Sequence, residues 1–278
     1  MNSGKWLVVS EYTEFSFTTY HLPLLNMIYD SHAHLISDDH ERYQPAPSRG
    51  TLDAGALDNP VTAEKLLSFM EANGVAKALL VQRATIYGYD NSYIVESAAK
   101  YPDRFKAMCA INTLDANAPA QARHWIAEKG AAGVRMMAAG KSADADFFAS
   151  PVALKVWETA ARLGSTIRLH FFRWNRAAGI AALLDLLPSF PDTKIVVEHL
   201  TNMTAENGAP DYGVDDKMLE LVSFPNVYLM FSTINLGRLK ADAQPSAPVI
   251  ARVVKSFEAD RLMWSKKTLD LCFIGFQK

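Results

Sequence analysis

The feature that most constrains the fold is an alternation of two hydrophobic patterns, which begins at Ile28 and continues almost to the end of the chain. Short runs of β-branched and apolar residues are each followed by a longer stretch with helical spacing of its apolar residues. Several short runs are apolar at consecutive positions, as in Ala78-Leu79-Leu80-Val81. Such runs are typical of strands that are buried on both faces of a parallel sheet. The pattern therefore predicts repeated βα units.

The predicted strands are Ile28–His32, Ala76–Gln82, Phe105–Ile111, Gly133–Met137, Thr166–Phe171, Lys194–His199, Val227–Phe231 and Leu262–Trp264. The predicted helices lie near Ala63–Asn73, Asn91–Lys100, Ala116–Glu128, Pro151–Leu163, Ala177–Leu187, Asp215–Val222 and Pro248–Phe257. Repeated βα units form either an open doubly wound sheet or a closed barrel. Eight strands, with no GxGxxG motif after the first, favour an α/β fold of the (β/α)8 TIM-barrel type, with the open sheet as the alternative.

Both ends of the chain depart from a regular barrel. Residues 1–27 precede the first strand and have no βα partner, so they are predicted to be an N-terminal extension outside the barrel. Residues 28–278 are predicted to form a single barrel domain. Only Lys266–Lys278 follow the eighth strand, which is too short for a full returning helix. The barrel is therefore expected to be atypical or truncated at its last βα unit.

Composition excludes several classes of protein. A hydrophobic fraction of 49% with 21% charged residues is ordinary for a globular chain with a substantial core. The formal net charge of −2 gives no electrostatic reason to expect a nucleic acid or an acidic membrane as partner. Cys109 and Cys272 form no paired motif and are interpreted as reduced thiols of a cytoplasmic protein. No apolar run reaches the roughly 18 to 20 residues of a membrane span. Oligomeric state is left open.

Four histidines are placed where a barrel enzyme performs its chemistry. His32 and His34 are two residues apart at the end of the first strand and project to the same side. His170 and His199 end the fifth and sixth predicted strands, and the carboxyl ends of barrel strands carry the active site. Imidazoles on separate strands can bind a divalent ion such as zinc or manganese. All four are predicted as catalytic residues and metal ligands, although one could serve only as a hydrogen-bonding support.

Arginines near the same strand ends indicate an anionic small-molecule substrate. Arg135 lies in the fourth strand and Arg83 follows the second, and guanidinium groups bind carboxylates in bidentate geometry. Gln82, Tyr87 and Asn91, in or beside the loop after the second strand, are predicted to add neutral contacts to the substrate. The alternative is that the arginines pair with helix carboxylates at the rim.

Arg168 shares the strand parity of His170 and should lie one layer deeper in the barrel. A buried arginine must be paired, so it belongs either to a structural ion pair or to the floor of the anion site. Glu198 is adjacent to His199, and on a regular strand it would point to the opposite side.

The ordered set of histidines resembles the amidohydrolase superfamily of metal-dependent hydrolases. Within it, several segments resemble the lactonase branch represented by 2-pyrone-4,6-dicarboxylate lactonase, and the resemblance runs from about Met27 to Trp264. These segments are Tyr43-Gln44-Pro45-Ala46-Pro47, Val81-Gln82, Tyr87-Gly88-Tyr89-Asp90-Asn91, Gly133-Val134-Arg135 and Glu198-His199-Leu200. The resemblance implies that activated water opens the ring of a carboxylated lactone. Because the pyrone lactonase resembles a metal-independent member, a mechanism without metal stays open.

One departure from this resemblance concerns the catalytic acid. Members of the superfamily usually end the eighth strand with Trp-Gly-Ser-Asp, whose aspartate is a metal ligand or a general base. Here Trp264 is followed by Ser265-Lys266-Lys267, with Asp270 only three residues beyond the expected position. The tail is interpreted as a truncation, splice or reading-frame change, and activity is expected to be impaired. Two alternatives to the lactonase therefore remain: a nonoxidative decarboxylase or hydratase of aromatic-derived acids, and a binding-only barrel.

Overall fold

In the described part of the chain, eight parallel strands form one sheet, with neighbours in chain order from β1 to β8. The computed structural model describes residues 27–138, 144–205, 208–241 and 243–265. The strands are β1 (Ile28–Ala33), β2 (Val75–Val81), β3 (Phe105–Ala110), β4 (Gly133–Met137), β5 (Thr166–His170), β6 (Ile195–Val197), β7 (Val227–Ser232) and β8 (Leu262–Ser265). All eight predicted strands are confirmed.

The first and last strands meet through side-chain hydroxyl groups. Ser31 Oγ donates a hydrogen bond to the carbonyl of Trp264 at 2.8 Å, and Ser265 Oγ donates to the carbonyl of His32 at 2.9 Å. These contacts bring the two edges of the sheet together. The predicted (β/α)8 barrel is therefore confirmed, in a nearly closed form.

Helices alternate with the strands along the chain. They are α1 (Ala63–Ala72), α2 (Ala84–Tyr87), α3 (Ser92–Lys100), α4 (Ala118–Arg123), α5 (Asp146–Ala149), α6 (Pro151–Arg162), α7 (Arg176–Leu186), α8 (Asp216–Glu220), α9 (Thr233–Ala241) and α10 (Ser246–Phe257). A π-helical turn at His124–Glu128 extends α4. The sequence predicts seven of these helices, and α2, α5 and α9 are additional. Helix α6 shows how local chemistry sets a start, because the Ser150 hydroxyl accepts from the amide of Ala153 and Pro151 occupies the first turn.

The strands pack closely at one point because a glycine is present. Gly133 in β4 pairs with Thr166 in β5, and a Cβ atom at Gly133 would lie 1.9 Å from the Thr166 carbonyl oxygen. Apolar clusters pack between the strands and the outer helices, and in the largest of them Trp157 is buried and donates from Nε1 to the Phe148 carbonyl at 2.9 Å. This rigid frame positions the carboxyl ends of the strands.

Some sequence predictions concern segments outside the described residues. These are the extension at residues 1–27, apart from Met27 itself, the unusual tail from Lys266 onward, and Asp270 and Cys272 within it. The extension and the single-domain boundary therefore stay predictions. Among the helices that the structure describes, none combines the length and apolar character needed to cross a membrane.

Candidate active site

The four predicted histidines converge at the carboxyl ends of the strands. The ring centres of His32 and His34 are 4.7 Å apart, and those of His32 and His199 are 5.4 Å apart. The His170 ring centre lies 5.1 Å from that of His199. Residues in or just after β1, at the end of β5 and just after β6, far apart in sequence, therefore share one small volume.

Hydrogen bonds at Nδ1 orient two of these imidazoles. His34 Nδ1 donates to the Val81 carbonyl at 2.6 Å, which leaves its Nε2 unprotonated, with a lone pair that can accept a hydrogen bond or bind a metal ion. His199 Nδ1 donates to the Ser232 hydroxyl at 2.7 Å, and that hydroxyl in turn donates to Asn235 Oδ1 at 3.3 Å. Asn235 Nδ2 also donates to the His199 carbonyl at 2.9 Å. The side chain and backbone of His199 are thus both fixed by β7 and α9.

Burial keeps the inner imidazoles neutral. Removal from water lowers the pKa of His32 to about 4 and holds the pKa of His199 well below its ordinary value. A neutral imidazole carries a lone pair that can bind a metal ion or accept a proton. At neutral pH both rings are therefore competent for either role.

Glu198 is the charge at the centre of the cluster. Its carboxylate is fully buried and accepts from Arg135 in bidentate fashion, with Nε at 3.0 Å from Oε1 and Nη2 at 2.8 Å from Oε2. His170 Nδ1 lies 3.0 Å from Oε2, and His32 Nδ1 lies 3.4 Å from Oε1. Burial alone would raise the pKa of Glu198, but Arg135 and the two imidazoles hold it well below its usual range. Glu198 is therefore a permanent anion in this site.

The backbone after β6 explains why Glu198 faces the cluster. The strand ends at Val197, and the four residues that follow Glu198 have φ between 49° and 58°. The alternation of side chains along a strand does not apply to such a left-handed turn. The expectation that Glu198 points away from His199 is therefore wrong, since Glu198 Oε2 lies 4.0 Å from His199 Nε2.

Arg168 is paired within the same cluster. Its side chain is buried, and Nη1 lies 3.3 Å from His32 Nδ1 and 3.7 Å from Glu198 Oε1. Its Nη2 contacts the Met263 sulfur at 3.8 Å, and its Nε has no hydrogen-bond partner in the part of the chain that the structure describes. Of the two alternatives that the sequence left open, the ion pair with Glu198 is present, and the unpartnered Nε leaves donor capacity for an anion.

The residues predicted to contact substrate after β2 are engaged with the protein. The Tyr87 hydroxyl accepts from the Ser37 amide at 2.9 Å, and Asn91 exchanges hydrogen bonds with the amide and carbonyl of Ala110. Gln82 is buried and donates to the Asp90 carbonyl, and Arg83 is the residue before α2. These contacts hold the β2–α2 loop in place, and substrate contact by Gln82, Arg83, Tyr87 and Asn91 stays a prediction.

Aromatic side chains border the site beyond His170. The Phe172 ring meets His170 edge-on at 4.7 Å and stacks on Trp174 at 4.4 Å with an interplanar angle of 5°. The Arg49 guanidinium lies 5.4 Å from the centre of the Phe172 ring. This rim combines flat apolar surface with a positive charge.

The donor set fits a divalent metal ion. His32, Glu198 and His199 each offer a ligand atom, and these atoms all lie within 4.8 Å of one another. His32 Nε2 and His34 Nε2 are 3.3 Å apart. Bonds of about 2.0–2.1 Å to a tetrahedral ion would place two nitrogen ligands about 3.3–3.4 Å apart. The cluster can therefore hold a metal, with imidazole nitrogens that suit zinc or manganese.

Comparison with solved structures shows where this fold occurs. A probable 2-pyrone-4,6-dicarboxylic acid hydrolase from Acinetobacter baumannii, solved with citric acid, has a TM-score of 0.63 at 17% identity over 89% of this chain and 87% of that chain. A 2,6-dihydroxybenzoate decarboxylase from Rhizobium has a TM-score of 0.60 at 15% identity over 87% and 88% of the two chains. A manganese-bound 5-carboxyvanillate decarboxylase from Novosphingobium aromaticivorans has a TM-score of 0.60 at 13% identity over 87% and 86%. At these identities the likeness shows the fold alone.

Comparison by sequence gives the family. A search of curated proteins finds no significant match. The family model described as amidohydrolase matches residues 29–265, from β1 through β8, and this range includes all four clustered histidines. The chain therefore belongs to the amidohydrolase family.

Proposed function

We propose that this protein is a hydrolase that opens the ring of a carboxylated lactone with water. The observation that carries the proposal is a pair of buried guanidinium groups, Arg135 and Arg168, with unused donors beside the imidazoles. Arg135 Nη1 contacts only the Met137 sulfur, at 3.1 Å, among the described residues. Thioether sulfur is a weak acceptor, and buried donors without good acceptors call for a ligand.

A substrate carboxylate supplies the missing acceptors. Two planar guanidinium groups offer it several N–H groups in fixed geometry, which a carboxylate can engage better than an uncharged ester can. The stacked rings of Phe172 and Trp174 at the rim suit a flat cyclic substrate. The likeness to a probable pyrone dicarboxylic acid hydrolase, which binds citric acid, supports the same class of ligand.

His170 is proposed as the general base. Its Nδ1 lies 3.0 Å from Glu198 Oε2 and 3.2 Å from Arg135 Nη2. In the tautomer proposed here Nδ1 carries the proton and donates to Glu198, so Nε2 carries the lone pair. The His170 side chain is also less buried than that of His32 or His199. Nε2 accepts a proton from water as the water oxygen bonds to the lactone carbonyl carbon. The ring C–O bond then breaks, and the leaving oxygen takes that proton back from the imidazolium. Glu198 stabilises the imidazolium formed between these steps.

His32, His34 and His199 are the residues that would hold a divalent ion. When bound, such an ion supplies a lowered pKa for water and polarisation of a carbonyl. Glu198 would orient these ligands rather than bind the ion itself, because both of its oxygens already accept hydrogen bonds from Arg135 and His170. The acid of the usual Trp-Gly-Ser-Asp ending is not needed for the steps assigned to His170.

The test is a panel of lactones with and without a carboxylate. Ring opening, followed as acid release in a pH-stat, is expected for the carboxylated members, with carbon dioxide assayed in parallel. Arg168→Met should raise KM for a carboxylated lactone at least 10-fold and leave the KM of its methyl ester within 2-fold, because only the acid uses the guanidinium. Trp174→Leu is the matched control: it alters the aromatic rim and leaves both arginines in place, so any change in KM should be shared by the acid and its methyl ester.

Other outcomes decide against the proposal. Carbon dioxide release without ring opening would assign the decarboxylase alternative, which the fold likeness to two decarboxylases makes the main competitor. Calorimetric binding of dicarboxylates without any turnover would assign the binding-only barrel. Equal effects of Arg168→Met on the acid and its ester would remove Arg168 from the anion site.

A further inference from the structure

We propose that Arg168 and Glu198 compete for Nδ1 of His32, and that this competition sets whether the cluster binds a divalent metal ion. The inference rests on the metal-holding residues proposed above and not on the reaction. In this view Arg168 keeps His32 in the tautomer that repels a metal ion. Glu198 supports the opposite tautomer, which binds one.

The three groups form a tight triangle. Arg168 Nη1 lies 3.3 Å from His32 Nδ1, Glu198 Oε1 lies 3.4 Å from the same nitrogen, and Nη1 and Oε1 are 3.7 Å apart. A guanidinium only donates, whereas a carboxylate only accepts. Arg168 can therefore satisfy Nδ1 only when that nitrogen is bare, and Glu198 can satisfy it only when it carries the proton.

The remaining hydrogen bonds favour the tautomer that Arg168 selects. If Nδ1 of His32 is bare, the proton is on Nε2, which then donates to His34 Nε2 at 3.3 Å. His34 accepts at Nε2 and donates at Nδ1, to the Val81 carbonyl at 2.6 Å, so the hydrogen bonds run in one direction along the line. Every donor in this line from Arg168 to Val81 meets an acceptor.

The other tautomer requires a cation between the two rings. If the His32 proton moves to Nδ1 and donates to Glu198, the two Nε2 atoms face each other at 3.3 Å with a lone pair each. Two lone pairs at that distance repel unless a positive ion lies between them, and a metal needs both of them bare. Metal binding is thus coupled to a change in the hydrogen-bond partner of His32 Nδ1, from Arg168 to Glu198. The charge of Arg168 opposes the ion in addition.

The first experiment uses the full chain without substitution. Nitrogen-15 NMR of the imidazoles, after treatment with a chelator, should show His32 with its proton on Nε2 and His34 with its proton on Nδ1. Addition of Zn²⁺ alone should move the His32 proton to Nδ1 and leave His34 unchanged. A proton on Nδ1 of His32 in the chelated protein would overturn the proposal.

The second experiment measures Zn²⁺ affinity by calorimetry. Arg168→Met should bind at least 10-fold more tightly than the unaltered chain, and Arg168→Lys, which keeps the charge, should stay within about 3-fold of it. Glu198→Gln should bind at least 10-fold more weakly, and His32→Ala should abolish binding at this site. An Arg168→Met protein that folds and binds Zn²⁺ no more tightly would also overturn the proposal.

If Arg168→Met does not fold, the NMR result on the unaltered chain still decides the question. Neither measurement uses a substrate. Failure of the lactone panel therefore leaves this inference standing, and its own failure leaves the proposed hydrolase standing.

Discussion

At the scale of single residues, His170 combines access with orientation. Its side chain is 12% accessible, more than that of His32 or His199, and its Nδ1 lies 3.0 Å from Glu198 Oε2. His170→Ala is expected to lower turnover about 100-fold or more, because a general base contributes roughly 10²–10⁴. The fold should be retained because little core surface is lost, which circular dichroism and Tm will check. Unchanged turnover would exclude His170 as the base.

The Arg135–Glu198 pair gives a stability prediction. Arg135→Met removes the bidentate partner of a fully buried carboxylate, and loss of one member of a buried pair costs about 3–5 kcal/mol. The double variant Arg135→Met with Glu198→Gln should recover much of this free energy of unfolding, because it also removes the buried negative charge that has lost its ion-pair partner. Urea denaturation of both variants measures the difference. Additive losses would show that the two residues stabilise the protein independently.

The histidines could be predicted from the sequence, whereas the role of Glu198 could not. His170 follows from strand periodicity because β5 pairs with β4 in continuous register up to that residue. The same periodicity predicts His32 and His34, although β1 has a register shift between Asp30 and Ala33 and ends before His34. Glu198 escapes this reasoning because the chain turns left-handed immediately after it. One signal was available: an acid directly after the apolar run Ile195-Val196-Val197 must be paired if buried, as was argued for Arg168.

At the scale of elements, the β4–β5 contact depends on Gly133. Gly133→Ala should destabilise the protein by about 3 kcal/mol or more, because the new Cβ would overlap the Thr166 carbonyl and a backbone group cannot move aside cheaply. Gly237→Ala is the matched control: it lies within α9, has open space around it, and should stabilise by about 0.5–1 kcal/mol. Thermal unfolding of the two variants should shift in opposite directions. A shared direction would contradict this account of the close approach.

The elements that could be predicted are those with a complete hydrophobic period. All eight strands are short runs that include buried positions, and the longer predicted helices α1, α3, α6 and α10 have buried residues repeated along one face. Helices α2 and α5 have four residues each, too few to display a helical period. Helix α9 has buried positions only at Asn235 and Leu239, and the amide of Asn235 serves the His199 site rather than the core. Its pattern therefore carries little signal.

At the scale of the whole molecule, stability should fall in mild acid. The folded-state pKa of His32 is about 4 and that of His199 is well below its ordinary value, so between roughly pH 6.5 and 4 the unfolded chain binds more protons. Each such group lowers the free energy of unfolding by about 1.4 kcal/mol for every pH unit lost in that window. Glu198, whose folded pKa is depressed, adds a further loss below about pH 4.5.

Urea midpoints of chelator-treated protein, measured from pH 7 to pH 4, test this dependence. The slope should decrease in His199→Gln, which removes one of the two buried imidazoles. A stability that is flat across the window would mean that the buried rings take up protons as readily in the folded state as in the unfolded chain.

The contact between β1 and β8, made by Ser31 and Ser265, forms a seam where the barrel closes. Neighbouring strands from β1 to β8 are joined by backbone pairing, but the described hydrogen bonds that close the ring between β1 and β8 come from the hydroxyls of Ser31 and Ser265. Side-chain bonds of this kind hold two edges with less cooperativity than a ladder of amides. The cylinder should therefore open first along this line, and amide hydrogen exchange should be fastest in β1 and β8. Since His32 lies on that seam, any such opening would also take apart the cluster of imidazoles.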